Sequence, residues 1–324
     1  MLSRSLQTQR CVTAVLTYRK DGRTVMQNTS KPPGSLKALL STVKLRPPSD
    51  DASVWIERAE QALDLKKIAK DQGDEVEANE SWFIEQTCRA FCDYLNAWCA
   101  IKELRFFDAW KLLEIAEITC GSLIRNPFCS LDETGVRALF EQIVEWQRIF
   151  PYKVFSSPEL VVGHYECSIC GLKVDPWSSC PHEKGRVYLG EMCVNIAREV
   201  KIVGISLVDD PVQKYSVIFP KKNADDPDPF DYGAVKFVAE RLSGPFSRWT
   251  SELIQARHPH SMFSATPPDE PCPCESGRSY RECCLEKPGV LRPHVQISFS
   301  EPPPESLPSA LFPDGSPGKL VIRE

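Results

Sequence analysis

Four cysteines lie within fourteen residues near the end of the chain, in a stretch that reads PCPCESGRSYRECC over residues 271–284. Zinc accepts cysteine sulfur at about 2.3 Å in a tetrahedral arrangement, and closely spaced pairs on tight turns supply such ligands at small entropic cost. A segment this short has no core of its own, so metal binding would provide its folding free energy. We therefore predict a structural zinc ion held by Cys272, Cys274, Cys283 and Cys284.

The residues around these cysteines follow a family pattern. They resemble the SEC-C motif, the zinc-binding tail of the bacterial preprotein-translocase ATPase, which is also appended to many unrelated bacterial proteins. The match consists of the four cysteines and of Pro273, Ser276, Gly277, Arg278, Tyr280 and Arg281. Two features depart from the pattern: Glu275 replaces the usual glycine, and forty residues follow Cys284. In the translocase family this tail contacts an export chaperone and the ribosome, so the resemblance implies a partner-docking function.

Three residues of this segment are candidates for partner binding. A zinc fold of this size is expected to expose Arg278, Tyr280 and Arg281, and Arg and Tyr are favoured at binding hot spots. The alternative is that they only solubilise the zinc turn, because small folds present polar side chains outward. We call residues 271–287 the SEC-C knob and predict that it docks a protein or ribosomal partner.

A second cluster of metal-ligand residues lies in the middle of the chain, in the stretch HYECSICGLKVDPWSSCPHEKGRVYLGEMC over residues 164–193. C-x-x-C followed by Gly171 is the turn of a zinc knuckle, whose backbone amides donate to metal-bound sulfur. The candidate ligands are Cys167, Cys170, Cys180, His182 and Cys193, with His164 nearby. Five candidates exceed the four that a closed tetrahedral site accepts. We predict a second zinc ion, with Cys180 or His182 as the spare residue.

The spacing of the second cluster also allows roles besides a structural zinc site. The thiols could be unrelated and buried, whereas a thioredoxin-like redox pair would need a surrounding βαβ pattern that the sequence lacks. His182-Glu183 beside Cys180 is similar to the H-x-E element of zinc deaminases, but that element has the acid one residue further on and a P-C-x-x-C after it. A zinc-dependent hydrolase or deaminase at this cluster is therefore the alternative function.

Catalytic motifs of other kinds do not occur in the sequence. It has no phosphate loop, nucleophile elbow, H-E-x-x-H or Rossmann glycine run. The absence of a phosphate loop also means that the SEC-C resemblance does not imply translocase activity. A fully ligated zinc leaves no room for substrate, which favours a protein that is not an enzyme.

The middle of the chain is also similar to an uncharacterised Cys/His module of phage head-associated proteins, over residues 164–211. The shared elements are C-x-x-C-G at 167–171, C-P-H at 180–182, G-x-x-Y-x-G at 185–190, Cys193, and V-D-x-P at 208–211. This resemblance carries no implication for chemistry.

Charge and hydropathy indicate the compartment. The first residues form no signal-peptide core, and no apolar stretch reaches the length of about 18 residues needed to cross a bilayer. We therefore expect a cytoplasmic protein without membrane contact, whose thiols are reduced and available to metal. The net charge is −5, but residues 1–50 hold nine Lys or Arg against two Asp. This basic arm has few aromatic residues for base stacking, so we expect at most weak RNA binding.

The sequence patterns around these residues predict both helices and strands, and therefore an α+β protein. Asp21-Gly22 between two β-prone runs indicates a hairpin. A helical repeat that places Cys88, Cys92 and Cys99 on one helix predicts that these thiols pack as small apolar side chains. Residues 234–257 are predicted as helical, with a second helix beginning at Pro245. The predicted parts are a basic arm with a β-hairpin (1–50), an N-terminal helical bundle (51–150), a central zinc-ribbon-like α+β domain (151–257), a linker (258–270), the C-terminal SEC-C knob (271–287) and a Pro-rich tail (288–324).

Overall fold

The computed structural model describes residues 34–44, 46–177, 180–220 and 228–302, and the short pieces 310–311, 317–318 and 322–323. The predicted hairpin and most of the basic arm lie outside the described residues. The chain forms two compact units. The first contains the described residues up to Gln147 and Tyr152–Phe230, and the second contains Arg148–Pro151 and the described residues from Asp231 onward. Helices precede most strands, which confirms the predicted α+β class.

Five helices open the described part of the chain. They are α1 (Leu36–Val43), α2 (Ala52–Gln72), α3 (Glu75–Lys102), α4 (Phe106–Arg125) and α5 (Val136–Ile149). Asp51 and Asp74 accept backbone amide hydrogen bonds at the starts of α2 and α3, and Gly73 ends α2 in the left-handed conformation that glycine adopts without strain. The long α3 packs against both α2 and α4. It therefore supplies the centre of the apolar core of the first unit.

The core of this region is rich in aromatic side chains. Trp55 of α2 stacks on Phe91 of α3 with ring centroids 4.3 Å apart. Cys88 and Cys92 are buried in the same helix, and burial raises the pKa of Cys88 to about 12. Among the described residues, no group of three or more potential metal ligands includes Cys88 or Cys92. Their environment is that of small apolar side chains, as the helical repeat predicts.

Asp93 on α3 gives the helices a pH-dependent stability. Burial raises the pKa of this carboxyl from 3.8 to about 6, against a smaller lowering by Arg89. Since the folded pKa lies above the unfolded one, ionisation destabilises the fold, by up to about 3 kcal/mol once the pH exceeds both values. Asp93→Asn should therefore raise the melting temperature more at pH 8 than at pH 5. Asp71→Asn, at an exposed site on α2, serves as the control in thermal denaturation, and an equal gain at both pH values would contradict this account.

Short strands follow the helices in the first unit. They are β1 (Phe155–Val161), β2 (His164–Cys167), β3 (Lys173–Val174), β4 (Val187–Tyr188), β5 (Glu191–Met192), β6 (Asn195–Arg198) and β7 (Lys201–Val208). β2 lies between β3 and β6 in an antiparallel sheet, β4 pairs with β5, and β1 pairs with β7. The middle cysteine cluster lies at the end of β2, at Cys167, and on the loops between these strands.

The second unit is built on a long antiparallel pair of strands. Its elements are α6 (Gly233–Arg241), β8 (Trp249–His258), a 3-10 turn (His260–Phe263), α7 (Tyr280–Cys283), β9 (Val290–Phe299), β10 (Ala310–Leu311), β11 (Pro317–Gly318) and β12 (Ile322–Arg323). β8 pairs with β9 along its whole length, from Trp249 opposite Phe299 to His258 opposite Val290. The four cysteines of the SEC-C knob are therefore inserted between two paired strands.

The prediction of a second helix that begins at Pro245 is wrong. Residues 249–258 are strand β8, and α6 ends at Arg241. Pairing with β9 satisfies the backbone of β8, and the fold buries Trp249 and Ala256. Strand formation depends on a partner that is remote in sequence, so the local pattern around Pro245 does not reveal it.

In the described parts of the chain, no helix is both long and apolar enough to span a bilayer.

Candidate metal centres

The SEC-C cysteines meet in space. The Sγ atoms of Cys272, Cys274, Cys283 and Cys284 all lie within 4.8 Å of one another. Cys274 and Cys283 are 3.4 Å apart, and Cys283 and Cys284 are 3.8 Å apart. A tetrahedron with Zn–S bonds of about 2.3 Å has sulfur atoms separated by about 3.8 Å. Among the described cysteines none is joined in a disulfide, so these four thiols fit one zinc ion.

Tight turns bring the two cysteine pairs together. Gly277 has φ 77°, and Glu275 has φ 64°, so both residues adopt the left-handed conformation. Glu275 occupies the position where the SEC-C pattern usually has glycine, and a residue with a side chain loses roughly 1–2 kcal/mol there. Arg292 of β9 contacts both the carboxylate of Glu275 and the carbonyl of Pro273. We infer that this contact holds the turn in place despite the glutamate.

Hydrogen bonds around Cys274 favour its anionic form, whereas burial raises the pKa of Cys272 to about 12. Burial raises the pKa of Cys274, but hydrogen bonds from Ser276, Cys272 and Cys283 outweigh it and lower the pKa to about 6. Ser276 Oγ also lies 3.2 Å from Cys283 Sγ, and the Arg278 guanidinium donates to the same sulfur at 3.6 Å. Four thiolates around Zn²⁺ carry a net charge of about −2. Arg278 partly compensates that charge, as groups next to metal ligands commonly do.

Tyr280 is buried, and the expectation that the knob exposes it is wrong. Its side chain is 3% exposed and packs with Cys272, Cys284 and Val290. The Tyr280 hydroxyl lies 2.5 Å from His260 Nδ1, and His260 Nε2 lies 2.7 Å from the carbonyl of Lys287. Because Nε2 faces a carbonyl oxygen, it carries the ring proton, and Nδ1 accepts a hydrogen bond from the tyrosine hydroxyl. The Tyr280 ring is therefore part of the buried core around the cysteines. Arg278 and Arg281 are exposed, as predicted.

Residues before the knob are hydrogen-bonded to it. The backbone amide of Tyr280 donates to the carbonyl of Glu270, and that of Arg281 donates to Pro268. The 3-10 turn with His260 lies in the same stretch, 258–270, which the sequence predicts as a linker. The knob and this stretch therefore share backbone and side-chain contacts.

The middle cluster also brings four ligand atoms together. They belong to Cys167, Cys170, Cys180 and His182, and all lie within 4.8 Å of one another. Cys170 and Cys180 are 3.5 Å apart, and His182 Nδ1 lies 3.7 Å from Cys167 Sγ and 3.6 Å from Cys180 Sγ. Tetrahedral zinc with typical bond lengths separates two sulfurs by about 3.8 Å and a sulfur from a nitrogen by about 3.6 Å. These four residues fit one zinc ion.

The C-x-x-C turn is a zinc knuckle in its hydrogen bonding. The amide of Ile169 donates to Cys167 Sγ at 3.4 Å, and Gly171, with φ 72°, donates its amide to the carbonyl of Cys167. Burial raises the pKa of Cys167, but the amides of Cys170 and Ile169 and two neighbouring thiols lower it to about 6. The knuckle therefore stabilises a thiolate at the position where a metal would bind it.

Cys193 is a fifth thiol beside the group. Its Sγ lies 3.7 Å from Cys167 Sγ, and burial raises its pKa to about 11. From the sequence we expected Cys180 or His182 to be the spare residue, but the four-atom group contains both and leaves Cys193 out. The spacing alone did not show this, because the β4–β5 hairpin sets where Cys193 lies. His164 is likewise outside the group and pairs with Glu166 at 3.3 Å.

Hydrogen bonds attach the loops of the middle cluster to the helices of the first unit, which the sequence patterns did not predict. Gly190 donates its amide to Asn79 of α3 at 2.7 Å, and Asn126 after α4 donates to the carbonyl of Gly185 at 2.9 Å. A Cβ atom at Gly190 would lie 3.0 Å from the carbonyl oxygen of Ala78, so only glycine fits without displacement. In the sequence, the only sign of this attachment was the pair of glycines, Gly185 and Gly190, in the G-x-x-Y-x-G run.

Comparison with known families supports the C-terminal assignment. The family model of the SEC-C motif matches residues 270–286, which confirms the resemblance. No curated protein and no solved structure matches the chain. The motif covers a small part of the sequence, so the match identifies this segment and not the whole chain. Together, the motif and the two cysteine clusters indicate zinc binding.

Proposed function

We propose that this chain is a zinc-binding interaction protein of the bacterial cytoplasm, which docks a protein or ribosomal partner through the SEC-C knob. The observation that carries the proposal is that the knob buries its tyrosine and exposes its two arginines. Tyr280 is buried against the cysteines, while Arg278 and Arg281 are exposed on the same rigid turn, where Arg278 contacts Cys283 Sγ and Arg281 pairs with Asp269. A rigid turn that presents arginines loses little conformational entropy when it binds a partner.

Both zinc ions have a structural role in this proposal. Cys272, Cys274, Cys283 and Cys284 hold one, and Cys167, Cys170, Cys180 and His182 hold the other, with Cys193 as the spare thiol. Four protein ligands complete the coordination of a structural zinc site, whereas a catalytic site keeps one position open for water or substrate. Glu183, the acid that a deaminase or hydrolase would need, pairs instead with Arg186 at 3.6 Å. These features favour an interaction protein over the enzyme.

The basic arm contributes at most weak RNA binding in this proposal. Two of its nine basic residues are already engaged by the loop before α5. Lys44 forms an ion pair with Glu133, and Arg46 donates to the carbonyl of the same residue. Basic side chains that are already paired within the protein release fewer counterions from a nucleic acid backbone, which lowers the affinity for RNA.

A binding assay with arginine variants tests the docking proposal. Arg278→Ala with Arg281→Ala should keep both zinc ions and yet reduce association with its partner by at least about tenfold, because truncated hot-spot arginines lose about 2 kcal/mol or more. The measurements are cosedimentation with purified bacterial ribosomes and capture from a bacterial lysate. Tyr280 is left unchanged, since its removal would unfold the knob.

Arg137→Ala is the matched control for this assay. Arg137 forms an exposed ion pair with Asp132 at 3.0 Å, just as Arg281 does with Asp269 at 2.9 Å. Identical association of the wild type, the double variant and the control would contradict docking through the knob. Loss of zinc from the double variant would instead show that these arginines serve the metal site.

A further inference from the structure

The β1–β7 pair carries an exposed apolar surface that the proposed function does not use. Val203, Ile205 and Leu207 of β7 are 62%, 74% and 70% exposed. The opposite face of the pair carries Ser206 and Glu159, and the Ser206 hydroxyl donates a hydrogen bond to the Glu159 carboxylate at 2.6 Å. Strands usually turn apolar side chains inward, so apolar residues on the solvent face indicate a surface that another molecule covers.

One edge of β7 offers backbone groups for pairing. Its other edge is occupied by β1, and among the described residues nothing else pairs with Lys201–Val208. The outer edge of β1 suits a further strand less well, because Phe155 bridges to Val217 there and Pro158 has no amide proton. A bulge that leaves Val203 unpaired limits the regular part of β7 to residues 204–208. That segment, GISLV, contains neither the lysine nor the proline that commonly protects a strand edge.

The charges at the two ends of β7 identify the partner. Lys201 begins the strand, and Asp209 and Asp210 follow it. All three side chains are exposed, and within the described residues none of them forms an ion pair. A second β7 that pairs antiparallel places its Lys201 beside these two acids, at both ends of the interface. Parallel pairing would instead bring like charges together, which is unfavourable.

We infer that two copies of this chain associate through β7, edge to edge and antiparallel about a two-fold axis. The surface is self-complementary, as a two-fold interface requires, because each strand supplies the cation for the acids of the other. The pairing turns two marginal two-stranded ribbons into one four-stranded sheet. It also places Ile205 and Leu207 of the two copies in cross-strand contact.

The mass of the full-length, zinc-loaded chain in reducing buffer tests this inference by sedimentation velocity or light scattering. Wild type should have twice the monomer mass of 36.5 kDa at micromolar concentration. Ile205→Lys should leave a monomer with unchanged zinc content and helicity, because it places a charged lysine opposite Leu207 of the other copy on each side of the two-fold axis. Val76→Lys is the matched control, since Val76 is 70% exposed on α3. A monomeric wild type, or equal behaviour of the two variants, would overturn the inference.

Charge reversal tests the antiparallel arrangement. Asp209→Lys with Asp210→Lys should weaken the dimer at least about tenfold, because like charges then face each other at both ends. Adding Lys201→Asp to that variant should restore the dimer. Failure of the triple variant to recover would overturn the antiparallel pairing through β7.

Discussion

Replacing Cys167 with serine should remove one zinc ion and unfold the loops of the middle cluster. Cys167 contributes to the four-atom group and accepts the amide of the knuckle, so serine removes both interactions. Structural zinc contributes about 10–16 kcal/mol in small peptides, which is comparable to the total stability of a domain at about 5–15 kcal/mol. Because Gly190 and Gly185 bind these loops to the helices, the melting temperature of the first unit should also fall.

Two further serine variants make the Cys167 experiment specific. Cys120→Ser alters a buried thiol of the same unit outside any cluster, and it should keep both zinc ions. Cys193→Ser should also keep both, because the four-atom group is complete without it. Native mass spectrometry counts the metal, and circular dichroism follows unfolding. If the Cys167 variant still bound two ions, or if the Cys120 variant lost one, the assignment of the middle site would be wrong.

Cys283→Ser should remove the other zinc ion and unfold the SEC-C knob. Cys283 lies close to Cys274 and Cys284. Its sulfur contacts the Ser276 hydroxyl and accepts a hydrogen bond from Arg278, so serine disrupts the whole centre. Loss of the metal would release Tyr280 from its buried position. The end of the strand pair at His258 and Val290 should open with it, since Val290 packs on the same cluster.

Hydrogen exchange and metal counting measure this second outcome. Faster exchange should appear in residues 258–290 and leave the helices of the first unit unchanged, because Tyr280 and Val290, which pack on the knob cysteines, belong to the second unit. Ser276→Ala is the matched control, since it removes a hydrogen bond to Cys283 and keeps every ligand. Retention of two zinc ions by Cys283→Ser, or unfolding that reaches α2–α4, would contradict the account.

The sequence was most informative where the chemistry is local. The four SEC-C cysteines lie within thirteen residues, and ligand type and spacing were enough to predict that they meet. The C-x-x-C-G knuckle was predictable for the same reason, because Cys167, Cys170 and Gly171 form one turn. In both places a short loop leaves few alternative geometries, so the pattern itself specifies the structure.

Contacts between distant residues were not predictable from these patterns. Tyr280 is an ordinary polar aromatic residue in the motif, and its burial depends on His260 and Val290 from outside it. Strand β8 depends on β9, which follows the knob in sequence. The grouping of His182 with Cys180, rather than with Cys193, depends on where the β4–β5 hairpin lies. Each of these contacts requires the fold before it can be seen.

The zinc content of the intact chain tests the central claim most directly. The protein should be produced with ample zinc, exchanged into a buffer without metal and measured by native mass spectrometry under reducing conditions. We expect the 36.5 kDa chain to carry two zinc ions, one for each group of four ligand atoms. A chain that carries one ion would contradict one of the two sites, and a chain that carries none would contradict both.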